Sequence, residues 1–534
     1  MTRPEGLPPG RASDKLLALA DQHALSFDFP PEVVTEARAL EDDPGLDDPE
    51  LEDWTDRPFV TIDNEDSRDL DQAMDFRRRP KGGFEVAYAL ADAAYYVRPG
   101  TALHAEALKR GVTYYFPSFA VPMLPRVLSE GVVSLNPAVD RRAFVVVTDL
   151  DAAGRVLKTR FVRARIRSRA KLSYRGVQAW ADGEESELEG KAWTDNLRLL
   201  REVGELRIKR ARDADVVQVR RDEVWARVDS TGAGFEVEAR RRSPVERWNE
   251  QISLLCNSEG AAFLQTPGAA PWVAPIYRIH PRPLASRLAD FADLVAGVVK
   301  SHGLNAAQWG WHRDRGESLA DYLEKLPAEG PQVGVADALH RQAVMVNQAS
   351  EFSTEPGIHH GIGAEPYARF SSPMREMVGI YTHKEALEKL SGRPPEGWQK
   401  EDETQRVEMV ALANASKKKQ KRIAKEANKI VLDHLLETEL GLETEHRPVR
   451  SGTVLGLTTT KIYLRFDAPR FEVKVYIRDV EEANRDRPRL ELEGNGAKLT
   501  AHDGRFPEVR LGDRLQVRLR SYSDKRDRYQ FEIV

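Results

Sequence analysis

Five acidic side chains are crowded into nine positions, 63–71, of the stretch TIDNEDSRDLDQAMDF, which runs from Thr61 to Phe76. They are Asp63, Glu65, Asp66, Asp69 and Asp71. Like charges this close repel one another, and burying them is costly unless a positive charge compensates. The stretch is therefore either a solvated turn or a place that holds cations.

Asp63, Asp69 and Asp71 are the carboxylates that could form a divalent-cation site. Hard cations such as Mg²⁺ take oxygen ligands and keep waters that a substrate phosphate can displace. A strand end and the loop after it could bring three such ligands together, although acidic surface loops are also common. An EF-hand is excluded, because no Gly occupies the required turn position and no Glu follows at the required distance.

Other catalytic motifs do not occur in the sequence. There is no GxxxxGK[ST], strand-helix GxGxxG, HExxH or CxxC pattern. The single cysteine, Cys256, lies in an amphipathic helical pattern, where a packed thiol is more common than a nucleophile. Metal-assisted chemistry at the acidic stretch is the main enzymatic option.

Two further segments contain residues suited to a nucleic acid. The rings of Tyr114, Tyr115 and Phe116 could stack on bases, which contributes about 1–3 kcal/mol per base. Core packing is the ordinary alternative, and it fits Tyr114 and Phe116 better than Tyr115. Arg375, in the segment ending FSSPMRE, could clamp a phosphate with two N–H groups or pair with a carboxylate.

The surrounding patterns predict the elements that position these residues. Strand-like FVTI, FEVAYALA and AFVVV alternate with helical patterns such as VERWNEQISLLCNSEGAAFL, which predicts an α/β (α+β) domain over 58–445. Residues 1–57 predict two helices and an acidic linker. Short strands over 449–534 predict a small all-β barrel.

Bulk composition limits the class of protein. The 534 residues are 41% hydrophobic and 31% charged, with a net charge of -5, so a uniformly basic nucleic-acid binder is excluded while local basic grooves are not. The N-terminal stretch has no signal-like apolar core, and no run is apolar enough to span a bilayer. We expect a cytoplasmic protein that does not bind membranes.

Five ordered motifs resemble the ribonuclease II/ribonuclease R family. They are TIDNEDSRDLDQA, LADAAYYVRPGT, YYFPSFAVPMLPRVLSEGVVSLNP, SRAKLSYRGVQA and STEPGIHHGIGAEPYARFSSPMR. The resemblance covers roughly residues 15–445, and the tail is similar to the S1-type OB-fold of the family. It implies an RNB catalytic domain that hydrolyses single-stranded RNA from 3′ to 5′, releasing nucleoside 5′-monophosphates. The helical segment 1–57 is too short for a complete cold-shock domain.

The resemblance also implies roles for individual residues. Asp63, Asp69 and Asp71 match the aspartates that bind Mg²⁺, with Mn²⁺ as the alternative ion, in a two-metal displacement. Asp71 and Arg375 match catalytic positions, with Arg375 beside the scissile phosphate. Tyr115 matches the aromatic residue that stacks on the 3′-terminal base.

The chain departs from the family pattern at the metal site. Gln72 stands where a fourth aspartate is usual, and its neutral amide oxygen is a weaker metal ligand. SPMREMVG replaces the usual SPIRRYPD, which places Glu376 after the retained Arg375. The alternative hypothesis is therefore an RNA-binding protein with a weakened nuclease site.

The remaining RNA contacts are predicted from charge and aromatic content. The candidates are Arg167 in a basic strand, Lys417 and Lys418 in a basic helix, Tyr463 in the tail, and Trp272 or Tyr277 as a second base-clamping ring. A solvated charged face is an equal alternative for each basic run. The expected partner is single-stranded RNA, bound by a monomer.

Overall fold

The computed structural model describes residues 3–184, 187–217, 223–265, 271–394, 401–484, 488–501, 504 and 506–534. The α-helices in these ranges are Arg11–Gln22, Pro31–Asp42, Ala93–Tyr96, Ala102–Arg110, Tyr174–Ala181, Thr194–Asp213, Pro244–Gln265, Ala285–His302, Ala306–Trp309, Leu319–Glu324, Val333–Val346, Met377–Ser391, Glu401–Leu440 and Ile477–Ala483. The strands are Glu52–Trp54, Val60–Asp63, Gln72–Arg78, Phe84–Ala91, Tyr114–Phe116, Phe119–Val121, Asp140–Leu150, Val156–Arg167, Ala170–Ser173, Glu223–Val228, Phe235–Arg240, Tyr277–Ile279, Glu351–Ser353, Val449–Leu457, Lys461–Phe466, Glu472–Tyr476, Leu490–Leu492, Lys498–Ala501, Val509–Arg510, Arg514–Ser523 and Arg528–Ile533. Within the same ranges, no helix has the length and apolar character needed to cross a membrane.

A seven-stranded mixed sheet positions the acidic stretch. Its strand order is Glu52–Trp54, Val156–Arg167, Asp140–Leu150, Phe84–Ala91, Gln72–Arg78, Val60–Asp63 and Ala170–Ser173. The two outermost pairs are parallel, and the pairs between them are antiparallel. Since Val60–Asp63 and Gln72–Arg78 are antiparallel neighbours, residues 64–71 form a loop at one end of the sheet.

Helices cover both faces of this sheet, because alternate residues of each strand point to opposite sides and both sets are apolar. One core lies between the sheet and the helices Pro31–Asp42, Ala102–Arg110 and Met377–Ser391. The other lies between the sheet and the helices Thr194–Asp213 and Pro244–Gln265. The predicted α/β (α+β) class is confirmed, with helices before the sheet and β-sheets at the end of the chain.

The first 57 residues are joined closely to the rest of the protein. Glu52–Trp54 is an edge strand of the central sheet, so that sheet begins before the predicted limit at residue 58. Leu16 of the first helix packs in one cluster with Ile423 and Ala427 of the long helix Glu401–Leu440. The division into 1–57, 58–445 and 449–534 stays a prediction, but the first two segments share one sheet.

The tail folds into a five-stranded sheet and a three-stranded sheet that enclose one core. Phe466 lies in this core at 2% exposure, whereas Tyr463 on the same strand is half-buried, as strand alternation requires. Val431 and Leu436 of the long helix belong to the same cluster. Removing the tail would therefore expose apolar surface on the long helix.

Acid is expected to destabilise the fold through His383. Its Nε2 donates to the carbonyl of Phe370 at 2.8 Å, and its Nδ1 is buried with no hydrogen-bond partner among the described residues. Burial lowers the pKa of His383 from 6.5 to about 4. Because the pKa of His383 is lower in the folded state than in the unfolded state, the unfolded state binds the proton more tightly. The stability that the neutral ring contributes above pH 6.5 is therefore lost as the pH falls from 6.5 towards 4. At pH 5 the loss is about 2 kcal/mol.

Calorimetry at pH 7 and pH 5 tests this expectation. The thermal midpoint of the wild type should fall on acidification, and that of His383→Gln should fall less, because Gln keeps an N–H donor for Phe370 without titrating. An equal fall in both proteins would contradict a role of His383.

Candidate active site

Asp63 and Asp69 are brought together by the loop between two neighbouring strands. Asp63 ends the strand Val60–Asp63, and its Oδ1 accepts from the backbone N–H of Asn64 at 2.7 Å and from the Ser67 hydroxyl at 3.0 Å. These bonds hold the start of the loop against the strand end. Asp69 and Asp71 lie at the end of the loop, directly before the strand Gln72–Arg78.

Asp71 is held by the segment that contains Arg375. The Asp71 side chain is buried, with Oδ1 accepting from the backbone N–H of Met374 at 2.9 Å and Oδ2 accepting from Nε of Arg375 at 2.5 Å. Arg375 also donates to the Ser372 hydroxyl at 2.9 Å. Two segments more than 300 positions apart are thus joined by one buried, charge-assisted pair.

Burial and mutual repulsion perturb the acidic groups. Burial raises the pKa of Asp69 to about 6, the charges of Asp71 and Asp63 add to the rise, and Arg375 opposes it. Burial also raises the pKa of Asp71, against the effects of Arg375 and the Met374 N–H. Arg375 is desolvated too, yet Asp71, Tyr115 and Asp69 keep its pKa well above the ordinary value.

The donor set suits a hard divalent cation in type and charge. Asp63, Asp69 and Asp71 offer carboxylate oxygens, and a cation among them would relieve the repulsion that raises the pKa of Asp69. In the described part of the chain, however, no three His, Cys, Asp or Glu side chains converge closely enough to hold a metal ion as placed. Each oxygen of Asp71 already accepts one hydrogen bond, from Met374 or Arg375, which leaves one lone pair on each oxygen for a cation.

Gln72 lies beside these residues with its amide oxygen already engaged. The hydroxyl of Tyr88 donates to Gln72 Oε1 at 2.5 Å and lies 2.6 Å from the hydroxyl of Ser253. Burial raises the pKa of Tyr88, so this phenol remains a neutral donor. Gln72 as a metal ligand stays a prediction, and one lone pair of its oxygen is occupied by Tyr88.

Tyr115 is the exposed ring at the rim of the site. It lies on the short strand Tyr114–Phe116, where alternation buries Tyr114 and Phe116 and leaves Tyr115 46% exposed. Burial of its hydroxyl end, offset in part by Arg375, raises the pKa of Tyr115 to about 12. The backbone N–H of Thr113 donates to the carbonyl of Arg375 at 2.9 Å, which ties this strand to the buried pair.

Comparison with known families identifies the chain. Residues 51–392, which are more than half of the sequence, match the RNB domain model. The chain belongs to the RNB-domain family. Ribonuclease R of Escherichia coli is 27% identical over 488 residues, which cover 90% of this chain and 57% of that relative. This RNB-domain chain spans about half the length of the ribonuclease R relatives it matches.

Solved structures share the fold of this RNB-domain chain. Mycoplasma genitalium RNase R in complex with ribose-methylated single-stranded RNA matches with a TM-score of 0.83 at 22% identity, covering 98% of this chain and 78% of that one. Yeast Ssd1, described as a pseudonuclease, matches with a TM-score of 0.62 at 15% identity, covering 86% and 53%. At these identities, the likeness shows the fold alone.

The two candidates for a second base-clamping ring differ in exposure. Tyr277 lies on the strand Tyr277–Ile279 and is only 3% exposed, so its ring belongs to the packed interior. Trp272 is half-buried, and its indole N–H is buried without a hydrogen-bond partner in the described chain. Trp272 is therefore the candidate that retains surface for a ligand.

The basic residues predicted to contact RNA mostly have partners within the protein. Arg167 is exposed, but its Nε donates to Asp140 Oδ1 at 2.6 Å. The same strand carries Arg165, which donates to Asp53 at 2.6 Å, and Arg163, which donates to Asp48 at 3.0 Å. The acidic linker thus neutralises much of this basic strand.

The other predicted contacts lie apart from one another. Lys417 donates to the backbone carbonyl and hydroxyl of Ser350, beside a cavity of about 90 Å³ also lined by Glu376. Burial and nearby cations lower the pKa of Lys417 to about 8. Lys418 is exposed on the outer side of the helix. In the tail, the guanidinium carbon of Arg341 lies over the Tyr463 ring, 4.7 Å from the ring centroid.

The structure adds one site residue that the sequence did not single out, Tyr174, and it shows the partner of Glu376. Tyr174 accepts from the Asn249 amide at 2.7 Å, and burial together with the charge of Asp63 raises the pKa of Tyr174. The motif SRAKLSYRGVQA contains Tyr174 and was its only sequence signal. Glu376, the unusual residue after Arg375, forms a two-bond ion pair with Arg369 at 2.9 and 3.2 Å.

Proposed function

We propose that this RNB-domain protein is a 3′→5′ exoribonuclease that hydrolyses single-stranded RNA to nucleoside 5′-monophosphates. The observation that carries the proposal is the buried Asp71–Arg375 pair beside Asp69, with the exposed ring of Tyr115 at its rim. An acidic cluster and a guanidinium in one pocket suit a phosphodiester, which needs both activation and charge stabilisation. We further propose that the working form is a cytoplasmic monomer.

Each side chain has a proposed task. Asp63, Asp69, Asp71 and Gln72 would hold Mg²⁺, or Mn²⁺, and two such ions would activate the attacking water and offset charge on the phosphate. The guanidinium of Arg375 would donate to the non-bridging oxygens of the scissile phosphate. The ring of Tyr115 would stack on the 3′-terminal base and fix its position.

Incubation with 5′-labelled single-stranded RNA and Mg²⁺ tests the proposal. The label should move to shorter products from the 3′ end, and chromatography should detect 5′-monophosphates. The DNA of the same sequence serves as the control substrate. Failure to release mononucleotides across a range of Mg²⁺ and Mn²⁺ concentrations would refute the activity.

Tyr115→Ala is expected to weaken RNA binding about tenfold or more, since stacking on one ring contributes about 1–3 kcal/mol. Tyr115→Phe keeps the ring and should bind nearly as well as the wild type. Fluorescence anisotropy with labelled RNA in excess chelator measures both. Equal losses in the two variants would instead assign the effect to the hydroxyl beside Arg375.

A second candidate function is RNA binding with little or no hydrolysis. Gln72 favours it, because this neutral side chain replaces a carboxylate and its oxygen already accepts from Tyr88. A metal held by fewer charges binds more weakly. The pseudonuclease among the structural neighbours is a precedent for this fold without nuclease activity.

Gln72→Asp distinguishes the two candidates. If the wild type only binds RNA, the added carboxylate should create mononucleotide release that is at least tenfold above the wild-type rate. Gln72→Asn is the matched control, since it has the length of Asp without the charge. RNA hydrolysis by the wild type at a rate similar to that of Gln72→Asp would exclude the second candidate.

A further inference from the structure

A groove of about 440 Å³ lies outside the acidic site, between three helices. These are Tyr174–Ala181, Thr194–Asp213 and Pro244–Gln265. Its charged lining is Asp182, Arg201, Glu205, Lys209, Arg212 and Arg247. The volume lies in the range typical of small-ligand sites.

Four of these residues form one stripe along the helix Thr194–Asp213. Arg201, Glu205, Lys209 and Arg212 are spaced by four, four and three positions, so they project from the same helix face. Arg247 projects into the groove from the neighbouring helix Pro244–Gln265. Basic side chains therefore face the groove from two helices.

The two carboxylates of the groove are already engaged. Glu205 accepts from Nε of Arg201 at 3.1 Å, and Asp182 accepts from the amide of Gln178 at 2.8 Å. Arg201 offsets the charge of Glu205, although weakly because both are exposed, whereas Asp182 keeps its charge because its partner is a neutral amide.

Lys209, Arg212 and Arg247 have no side-chain partner in the described chain, and all three are exposed. This differs from the basic strand of the central sheet, where Arg165 and Arg167 each meet an aspartate. Three such cations outweigh the one carboxylate of the groove that no cation of the described chain neutralises, Asp182, and the excess positive charge attracts anions. Two of them are arginines, whose planar fork matches the oxygens of a phosphate.

The groove adjoins the acidic site. The helix Tyr174–Ala181 connects them: Tyr174, at its start, accepts from Asn249 and lies within the field of Asp63. Gln178, at the groove, stands four residues after Tyr174, about 6 Å along the helix axis. One helix therefore contributes to the groove near its end and lies beside the acidic cluster at its start.

We propose that the groove formed by Lys209, Arg212 and Arg247 is a second binding site, for a nucleotide phosphate, beside the acidic site. The phosphate comes either from the RNA strand or from a released nucleoside 5′-monophosphate. The choice of a nucleotide rests on the proposed function, whereas the anion preference rests on the groove itself.

The test compares two triple variants of the full chain. Lys209→Gln/Arg212→Gln/Arg247→Gln removes the groove cations. Lys81→Gln/Lys158→Gln/Lys300→Gln removes three exposed lysines elsewhere, so the net charge changes equally. Binding of a labelled 20-mer of single-stranded RNA and of 5′-AMP is measured in excess chelator over a series of salt concentrations.

If the strand binds in the groove, the groove variant should bind the 20-mer about tenfold more weakly. Its log–log salt slope should be shallower by about 2, since each phosphate contact on a single strand contributes about 0.7. If the released nucleotide binds there, the groove variant should lose 5′-AMP binding instead. In both cases the lysine control should resemble the wild type.

The site is refuted if the two triple variants behave alike with both probes. A glutamate-rich peptide is a third probe: the site is also refuted if the groove variant loses binding of this peptide but keeps the wild-type affinity for both nucleotide probes. RNA degradation by the wild type is scored separately. A groove effect without degradation would overturn only the proposed activity, and degradation without a groove effect would overturn only the groove.

Discussion

Asp71→Asn should lower the turnover of single-stranded RNA by at least about a thousandfold while leaving RNA affinity within about threefold of the wild type. Asp71 is buried and its carboxylate faces Arg375 and Met374, so under the proposed function it would act at the scissile phosphate rather than hold the incoming strand. Asn keeps one oxygen for the Met374 N–H, but its amide NH2 faces Nε of Arg375, so the thermal midpoint should fall and turnover is compared on the folded protein. Single-turnover kinetics and anisotropy in chelator measure the two quantities.

Asp75→Asn is the matched control for this prediction. Asp75 is as buried as Asp71 and lies on the strand Gln72–Arg78, which Asp71 directly precedes, but it pairs with Arg57 and Arg77, away from the acidic cluster. Its substitution should lower the thermal midpoint and leave the turnover of the folded protein nearly unchanged. Turnover of Asp71→Asn within a few-fold of the wild type would mean that the acidic residues have been misassigned.

Local patterns were sufficient wherever one physical rule decided the outcome. Strand alternation separates Tyr115 from Tyr114 and Phe116, and it separates Tyr463 from Phe466, and both separations follow from the sequence. The same rule predicts a sheet that is apolar on both faces. The acidic stretch follows a strand-like segment in the sequence, and in the structure it forms the loop between the strands Val60–Asp63 and Gln72–Arg78.

Partners that come from distant segments could not be predicted. The sequence predicts Arg167 as an RNA contact, but in the fold Arg167 donates to Asp140 of the adjacent strand. Arg165 likewise donates to Asp53 of the linker. An aromatic side chain such as Tyr277 could clamp a base or pack in the core, and only the packing of the fold shows that Tyr277 is buried. Charge pairing and burial depend on tertiary neighbours, which a single sequence does not specify.

The pairing of Asp71 with Arg375 is the contact of this kind that matters most for function. The two residues were assigned separate roles from separate motifs, and no spacing rule places them 2.5 Å apart. In the fold, Arg375 both neutralises a buried carboxylate and faces Tyr115. Its loss should therefore affect stability and chemistry by different mechanisms.

Arg375→Gln should lower turnover by about a hundredfold to a thousandfold, because a donor to the developing phosphate charge is removed. It should also destabilise the fold, because Asp71 would remain buried without its counter-charge. Removing one partner of a buried pair costs about 3–5 kcal/mol, and the 30% exposure of the Arg375 side chain favours the lower end. Thermal midpoints and single-turnover rates are measured on the same preparations.

The double variant Asp71→Asn/Arg375→Gln separates the two effects. In the double variant neither residue 71 nor residue 375 is charged, and two neutral amides can occupy a buried site at little cost. Its thermal midpoint should therefore be higher than that of Arg375→Gln and close to that of the wild type. Its turnover should stay as low as that of the worse single variant, because residues that act on one phosphate are not additive. If Arg375→Gln were destabilised yet turned over RNA within about fivefold of the wild type, Arg375 would serve only to hold Asp71, and the phosphate contact would have to come from another cation.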